Sequence, residues 1–176
     1  MVAKRRDYLL VDGYNVIYDW PELKAMLSNL DHARDRLIDW LASYGAYKDY
    51  EVIIAFDAHS VTGNEERSLP VYPHVAVVFT REGETADSFI EKAAYQFAKA
   101  GGAVYVATSD AAEQQLILGV GAYRISSREL RRDFIRTVKV MKHKIVQDGR
   151  QTDRNEIEGR VNDQVLEKLK ALRLQK

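Results

Sequence analysis

Five short apolar runs punctuate the chain: Tyr8–Val11, Val52–Phe56, Val75–Phe79, Val104–Ala107 and Tyr123–Ile125. They are mostly β-branched or aromatic and do not alternate with polar residues. That is the pattern of strands covered on both faces of a parallel sheet. Between them, apolar residues recur at helical spacing. Asp31 can cap a helix with Ala33, Leu37, Trp40, Leu41 and Tyr44 on its inner face and an end near Gly45. Thr85 can cap another, with Phe89, Ile90, Ala93, Ala94 and Phe97 inward and Gly101-Gly102 as its stop. A shorter helix is expected from about Ala111 to Leu118, ending at Gly119. Alternating strands and helices predict a three-layer α/β fold with a mostly parallel five-stranded sheet and right-handed crossovers.

Past the fifth run, Ser126-Ser127-Arg128-Glu129 reads as a capping box that opens a helix toward Lys144. The stretch Gln147–Gly159 is polar and glycine-bearing, and Val161, Val165, Leu166, Leu169 and Leu172 then restore helical spacing. The expected organisation is one domain over 1–147, with 148–176 a polar loop and C-terminal helical extension packed on it. The segment Ser60–Pro73 is read as a long loop, and its Tyr72 as an anchor to the core or a platform for a base.

Composition narrows the chemistry. The 176 residues include no cysteine, which excludes disulfides and thiolate metal sites. The basic residues Lys4, Arg5 and Arg6 precede an apolar run too short for a signal peptide, and no stretch is long enough to span a membrane. A cytoplasmic protein is the expectation. The formal net charge is zero, yet residues 1–123 hold 11 Lys/Arg against 18 Asp/Glu, and residues 124–176 hold 15 against 8. Such asymmetry fits a polyanionic partner, or two solvated faces that neutralise each other.

Acids cluster where function gathers in an open parallel sheet, at the carboxyl ends of the strands. Asp12 ends the first run, Asp57 follows the second and Asp110 closes Thr108-Ser109-Asp110 after the fourth. Asp87 falls in the first turn of the helix after the third, with Glu84, Glu91 and Glu113 near in sequence. Each acid alone could be a turn residue or a helix cap. Together they repel one another unless a cation intervenes. An oxygen-rich set without Cys or a His pair suits Mg²⁺ or Mn²⁺, and hence phosphoryl transfer or phosphodiester hydrolysis.

Other phosphate-handling motifs are absent: no GxxxxGK[ST] loop, no strand followed by GxGxxG, and no GxSxG elbow. The histidines are scattered, and only His59, two residues after Asp57, falls near the acids. A phosphatase with Asp12 as nucleophile wants a second acid two residues on, and that position is Tyr14.

The motifs Leu-Val-Asp-Gly-Tyr-Asn at 10–15, Phe-Asp-Ala-His at 56–59, Glu-Thr-Ala-Asp at 84–87 and Ala-Thr-Ser-Asp at 107–110 resemble the YacP-like branch of the NYN domain family, within the PIN-like ribonucleases. The resemblance runs from about Tyr8 to about Arg132. It implies a PIN-like, Rossmann-like fold and a metal-dependent endoribonuclease in which Asp12, Asp87 and Asp110 hold the metal. Asn15 matches a position near the scissile phosphate, and Thr108 and Ser109 shape the same pocket. In the wider PIN pattern a further acid follows the Ser-Asp pair by two residues; here Ala112 stands there, leaving Glu113, Asp57 or Glu84 as the fourth. The branch also implies messenger RNA as substrate and the ribosome as a partner.

The helix after the fifth strand supplies a basic stripe. Arg128, Arg131 or Arg132, and Lys139 or Lys142 can share a face that contacts a phosphate backbone. The plainer reading, compatible with it, is an exposed amphipathic helix whose other face (Leu130, Phe134, Val138, Met141, Ile145) packs on the core. Tyr14 and Trp20, flanking Asn15, are candidates for base stacking. The reading that competes with the nuclease is a non-catalytic RNA- or ribosome-binding module of the same fold. It has no need of a self-repelling acid cluster.

Overall fold

The computed structural model describes residues 7–57, 67–109 and 121–147. In chain order its elements are β1 (Asp7–Asp12), α1 (Gly13–Asp19), α2 (Pro21–Lys24), α3 (Leu30–Lys48), β2 (Tyr50–Phe56), β3 (Arg67–Tyr72), β4 (Val75–Phe79), α4 (Ala86–Lys99), β5 (Val104–Ala107) and β6 (Tyr123–Ile125). The chain divides into two compact units, Met1–Ile135 and Arg136–Lys176. The first ends in the helical residues 127–135 (α5), and 136–147, also helical, are the described part of the second. Among the described residues no helix is long and apolar enough to cross a membrane.

All five apolar runs become strands, and they form one sheet of order β3-β4-β2-β1-β5-β6. Five strands are parallel, and β3 joins the edge antiparallel to β4. This sixth strand is a correction: it lies inside the segment read as a loop from sequence. Pro70 breaks its apolar pattern, and the register shifts between Pro70 and Tyr72. Proline lacks a ladder donor, so it is tolerated only on such an edge.

The sheet is covered on both faces. Leu10, Ala55, Val104 and Val106 pack with Ala86, Ile90, Ala93 and Ala94 of α4. On the other face, the alternate residues Leu9, Val11, Val52, Ile54 and Phe56 are buried, with α1 and α3 packed against that side. Two glycines set how closely these helices approach. A Cβ on Gly45 would lie 2.5 Å from Val52 Cγ2, and one on Gly13 would lie 2.2 Å from Phe56 Cε1. Gly45 therefore sits within α3, as the seam with β2, and not at its end. The helix continues to Lys48 and stops at Asp49, which is left-handed at φ 61°. It also begins earlier than expected: Asn29 caps it, accepting from His32 N at 3.1 Å, and Asp31 pairs with Arg34 in the first turn.

Two short helices, α1 and α2, were not visible as periodic patterns. Trp20 joins them and is fully buried. Its ring stacks on Trp40 and Phe134, and its Nε1 donates to Ser127 O at 3.0 Å. The expected caps of α4 and α5 are present. Thr85 Oγ1 accepts from Ser88 N at 3.2 Å. Ser126 Oγ accepts from Glu129 N while Glu129 Oε2 accepts from Ser126 N, a complete capping box. The helix expected over 111–118 and the segment 148–176 lie outside the described residues.

Candidate functional site

The chain adds strands on one side of β1, then crosses to the other with β5 and β6. The order therefore reverses at β1/β5, the place where open parallel sheets form a crevice beyond their carboxyl ends. Asp12 is the last residue of β1. Val11 is level with Ala107, so Thr108 comes level with Asp12 across the switch and Ser109 lies one step beyond. Asp57 extends β2 on the other side of β1. From the opposite face, α4 brings Asp87 in its first turn.

Asp12 has two roles here. As N-cap of α1, its Oδ1 accepts from Asn15 N at 3.0 Å. Its carboxyl also meets Asp87. Asp12 is raised from 3.8 to about 6, first by burial and then by the neighbouring Asp87 and Asp57, against the lowering effect of the Asn15 amide. The acids thus converge as the sequence pattern anticipates for Asp12 and Asp87. Asp110 and Glu113 lie outside the described residues, as does His59. Thr108 is buried and Ser109 exposed at the mouth of the switch.

Asn15 adds an unexpected feature. Its Oδ1 is buried and has no hydrogen-bond partner among the described residues. A buried carbonyl oxygen left unpaired costs about 1–3 kcal/mol, so such an atom invites a water or a cation. Among the described residues no three His, Cys, Asp or Glu groups form a ready metal cage. That is compatible with Mg²⁺, which keeps several waters and is commonly held by one or two carboxylates. Asp12 and Asp87 are carboxylates of the hard, oxygen-donor kind that such an ion takes.

Two further acids of this edge have partners of their own. Asp57 Oδ1 accepts from Ala86 N, the first residue of α4, at 2.6 Å. Glu84 takes Lys92 Nζ at 2.6 Å. Sequence reasoning placed Asp57 at the right edge but missed what it holds, because the helix donor it meets lies 29 positions away.

The aromatic candidates separate. Trp20 is buried in the core and is no stacking platform, a correction to the sequence reading. Tyr14 is half-buried, edge-on to Phe56, and its hydroxyl accepts from Arg34 Nη1 at 2.8 Å. Tyr72 is a tether, donating to Asp39 Oδ1 at 2.7 Å. Because β3 is antiparallel, Tyr72 pairs with Val75 at the end of the sheet away from the acids.

The basic candidates lie beyond the other end of α1. Arg128, Arg131 and Arg132 line a cleft of about 540 Å³ with Asp19 and Pro21. Asp19 ends α1 and Asp12 caps its start, so the cleft lies roughly 10 Å from Asp12 at 1.5 Å per helical residue. Arg131 is held bidentately by Glu22, through Nε to Oε2 and Nη2 to Oε1. Arg128 Nε lies 3.6 Å from Asp19 Oδ1, and Arg132 is exposed. Lys139 and Lys142 belong to the second unit.

Comparison with known proteins places the fold in a family. YacP of Bacillus subtilis (strain 168) is 48% identical over 128 residues, covering 72% of this chain and 74% of YacP. The crystal structure of Rae1 (YacP) from Bacillus subtilis matches with TM-score 0.72 and 38% identity, over 96% of this chain and 95% of that one. The crystal structure of a tryptophan-to-leucine mutant of Rae1 matches with TM-score 0.69 and 41% identity, over 80% of this chain and 82% of that one. Residues 9–174 match the YacP-like NYN domain. With its acids at the switch point of a mostly parallel sheet and this match along nearly its whole length, the chain belongs to the YacP-like NYN domain family.

Proposed function

We propose that the protein is a metal-dependent endoribonuclease that hydrolyses RNA phosphodiester bonds at the β1/β5 edge. The observation that carries this reading is Asp12, half-buried and raised to about 6 beside Asp87 and Asp57. A module that only binds RNA gains nothing from burying a carboxylate against two others, and such an arrangement disfavours a polyanion. A nuclease that uses Mg²⁺ or Mn²⁺ needs it.

Asp12 and Asp87 are the residues that would hold the cation, with Asp110 as the family's third position. When bound, the cation supplies charge neutralisation for the phosphate and activation of the attacking water. The chain's own residues set the frame for that chemistry. Asp12 is held by the Asn15 amide, which fixes its carboxylate beside Asp87. Asn15 Oδ1 offers a buried acceptor that can hold an ordered water at this edge. Tyr14, braced by Phe56 and Arg34, walls the same edge. Thr108 and Ser109 close the opposite side of the switch.

RNA as substrate, a messenger in a ribosome-linked setting and a cytoplasmic location rest on family membership. Arg128, Arg131 and Arg132 support the RNA part, since the acidic edge needs a basic neighbour to hold a polyanion. Lys139 and Lys142, in the second unit, are separate candidates for phosphate contact. The test is incubation of purified protein with RNA and Mg²⁺ or Mn²⁺, with and without ribosomes, beside Asp12→Asn and Asp87→Asn. Cleavage that stops on chelation and in both variants supports the reading. Equal cleavage by wild type and both variants sinks it.

A further inference from the structure

We propose that Asp57 is a positioning residue, tethering the N-terminus of α4 so that Asp87 faces Asp12. This rests on the nuclease reading for its consequence, although the tether itself does not.

Helix N-termini leave their first backbone donors without intrahelical partners. In α4 the N-cap Thr85 spends its hydroxyl on Ser88 N. The Ala86 N–H is supplied instead from a different element: Asp57 Oδ1, one residue past the end of β2, at 2.6 Å. A carboxylate accepting from a backbone N–H is a short, charge-assisted bond, and a negative charge suits the positive end of a helix. Ala86 is itself buried against the sheet, so the donor and its helix are seated at one point.

The consequence concerns direction. Each residue of a helix turns the side chain by about 100°, so a small rotation of α4 about its axis swings Asp87 out of the edge. Thr85 caps α4 locally and turns with it, whereas Asp57 directly follows β2 and does not. β2 is also the neighbour of β1, with Asp12 level with Ala55. Asp57 therefore references Asp87 to the same rigid frame that carries Asp12. Supporting groups of this kind change activity by about 10–100-fold when removed, by misplacing the groups they orient.

The alternative is that Asp57 is a metal ligand, and two substitutions distinguish them. The amide oxygen of Asp57→Asn can still accept from Ala86 N–H, while Asp57→Ala cannot. Amide hydrogen exchange at Ala86 and Asp87 reads the tether, thermal melts check folding, and Mn²⁺ titration with RNA cleavage reads the site. A tether predicts that Ala86 protection falls in Asp57→Ala and is recovered in Asp57→Asn. It also predicts a kcat about 10–100-fold lower in the alanine variant at similar KM, and largely rescued by asparagine. Loss of Mn²⁺ binding in Asp57→Asn equal to that in Asp12→Asn overturns the proposal in favour of a ligand. Identical Ala86 exchange in wild type and Asp57→Ala overturns it outright. If wild type cuts no RNA while the exchange pattern holds, the nuclease reading fails and the tether stands.

Discussion

The carboxyl of Asp12, at the end of β1, lies against that of Asp87, on the first turn of α4, close enough for each charge to act on the other. The two residues come from opposite layers: Asp12 opens the helices of one face, and Asp87 begins the helix of the other. They meet because the strand order reverses beside β1. Two carboxylates this close repel each other, a cost that a cation held between them would offset.

This relationship has a sign that stability measurements can read. The folded-state value of Asp12, about 6, lies above its reference of 3.8. The stability it contributes is fully present below about pH 3.8 and lost as pH rises through about 6. In chelator at pH 7 the ionised group therefore weakens the fold, by on the order of 1–3 kcal/mol. Asp12→Asn keeps an N-cap acceptor for α1 and removes the charge. Urea melts in chelator are expected to show it more stable than wild type at pH 7, with the gap closing by pH 4. A wild type more stable than the variant at pH 7 contradicts this.

Cation binding should offset the same penalty. Saturating Mn²⁺ at about 100 times its Kd stabilises a protein by about 2.7 kcal/mol. Thermal melts of wild type are expected to rise with Mn²⁺ and fall back with chelator, while Asp12→Asn shows little change. A rise of equal size in both proteins places the cation elsewhere.

Gly13 adjoins Asp12 for a steric reason. A methyl group there meets the buried Phe56 ring at 2.2 Å. Gly13→Ala is expected to cost about 1–3 kcal/mol by overpacking. Trimming the ring relieves the clash, so Gly13→Ala with Phe56→Leu should destabilise less than the two single costs added together. Strict additivity in urea melts means that the ring does not set this approach.

The arginine cleft makes a graded prediction. Arg131 must leave Glu22 to reach a phosphate, whereas Arg132 is exposed. Titration of an uncleaved RNA analogue at several salt concentrations should show Arg132→Ala weakening binding more than Arg131→Ala. For each phosphate that is no longer neutralised, the salt slope falls by about 0.7–0.9. The reverse ranking contradicts the assignment.

The sequence showed most of the sheet because a doubly covered strand must be continuously apolar, and Val75–Phe79 and Val104–Ala107 have that property throughout. It hid β3, whose Pro70 is acceptable only on an antiparallel edge. Gly45 misled for a related reason: glycine marks helix ends, but here it serves close packing on Val52. Asp12 and Asp87 were legible because each adjoins an element boundary at one edge. The engagement of Asp57 with Ala86, and of Arg131 with Glu22, joins residues distant in sequence that no local pattern connects. Trp20 looked like a surface aromatic beside the site, and only the packing of Trp40 and Phe134 around it shows otherwise.

The most direct measurement is RNA cleavage by purified wild type, Asp12→Asn and Asp87→Asn, with Mn²⁺ or chelator, on preparations matched by thermal melt. Cleavage by wild type with Mn²⁺ alone, and its loss in both variants, is the expected result. Cleavage that persists in folded Asp12→Asn and Asp87→Asn, or in chelator, contradicts a metal-dependent site at this edge.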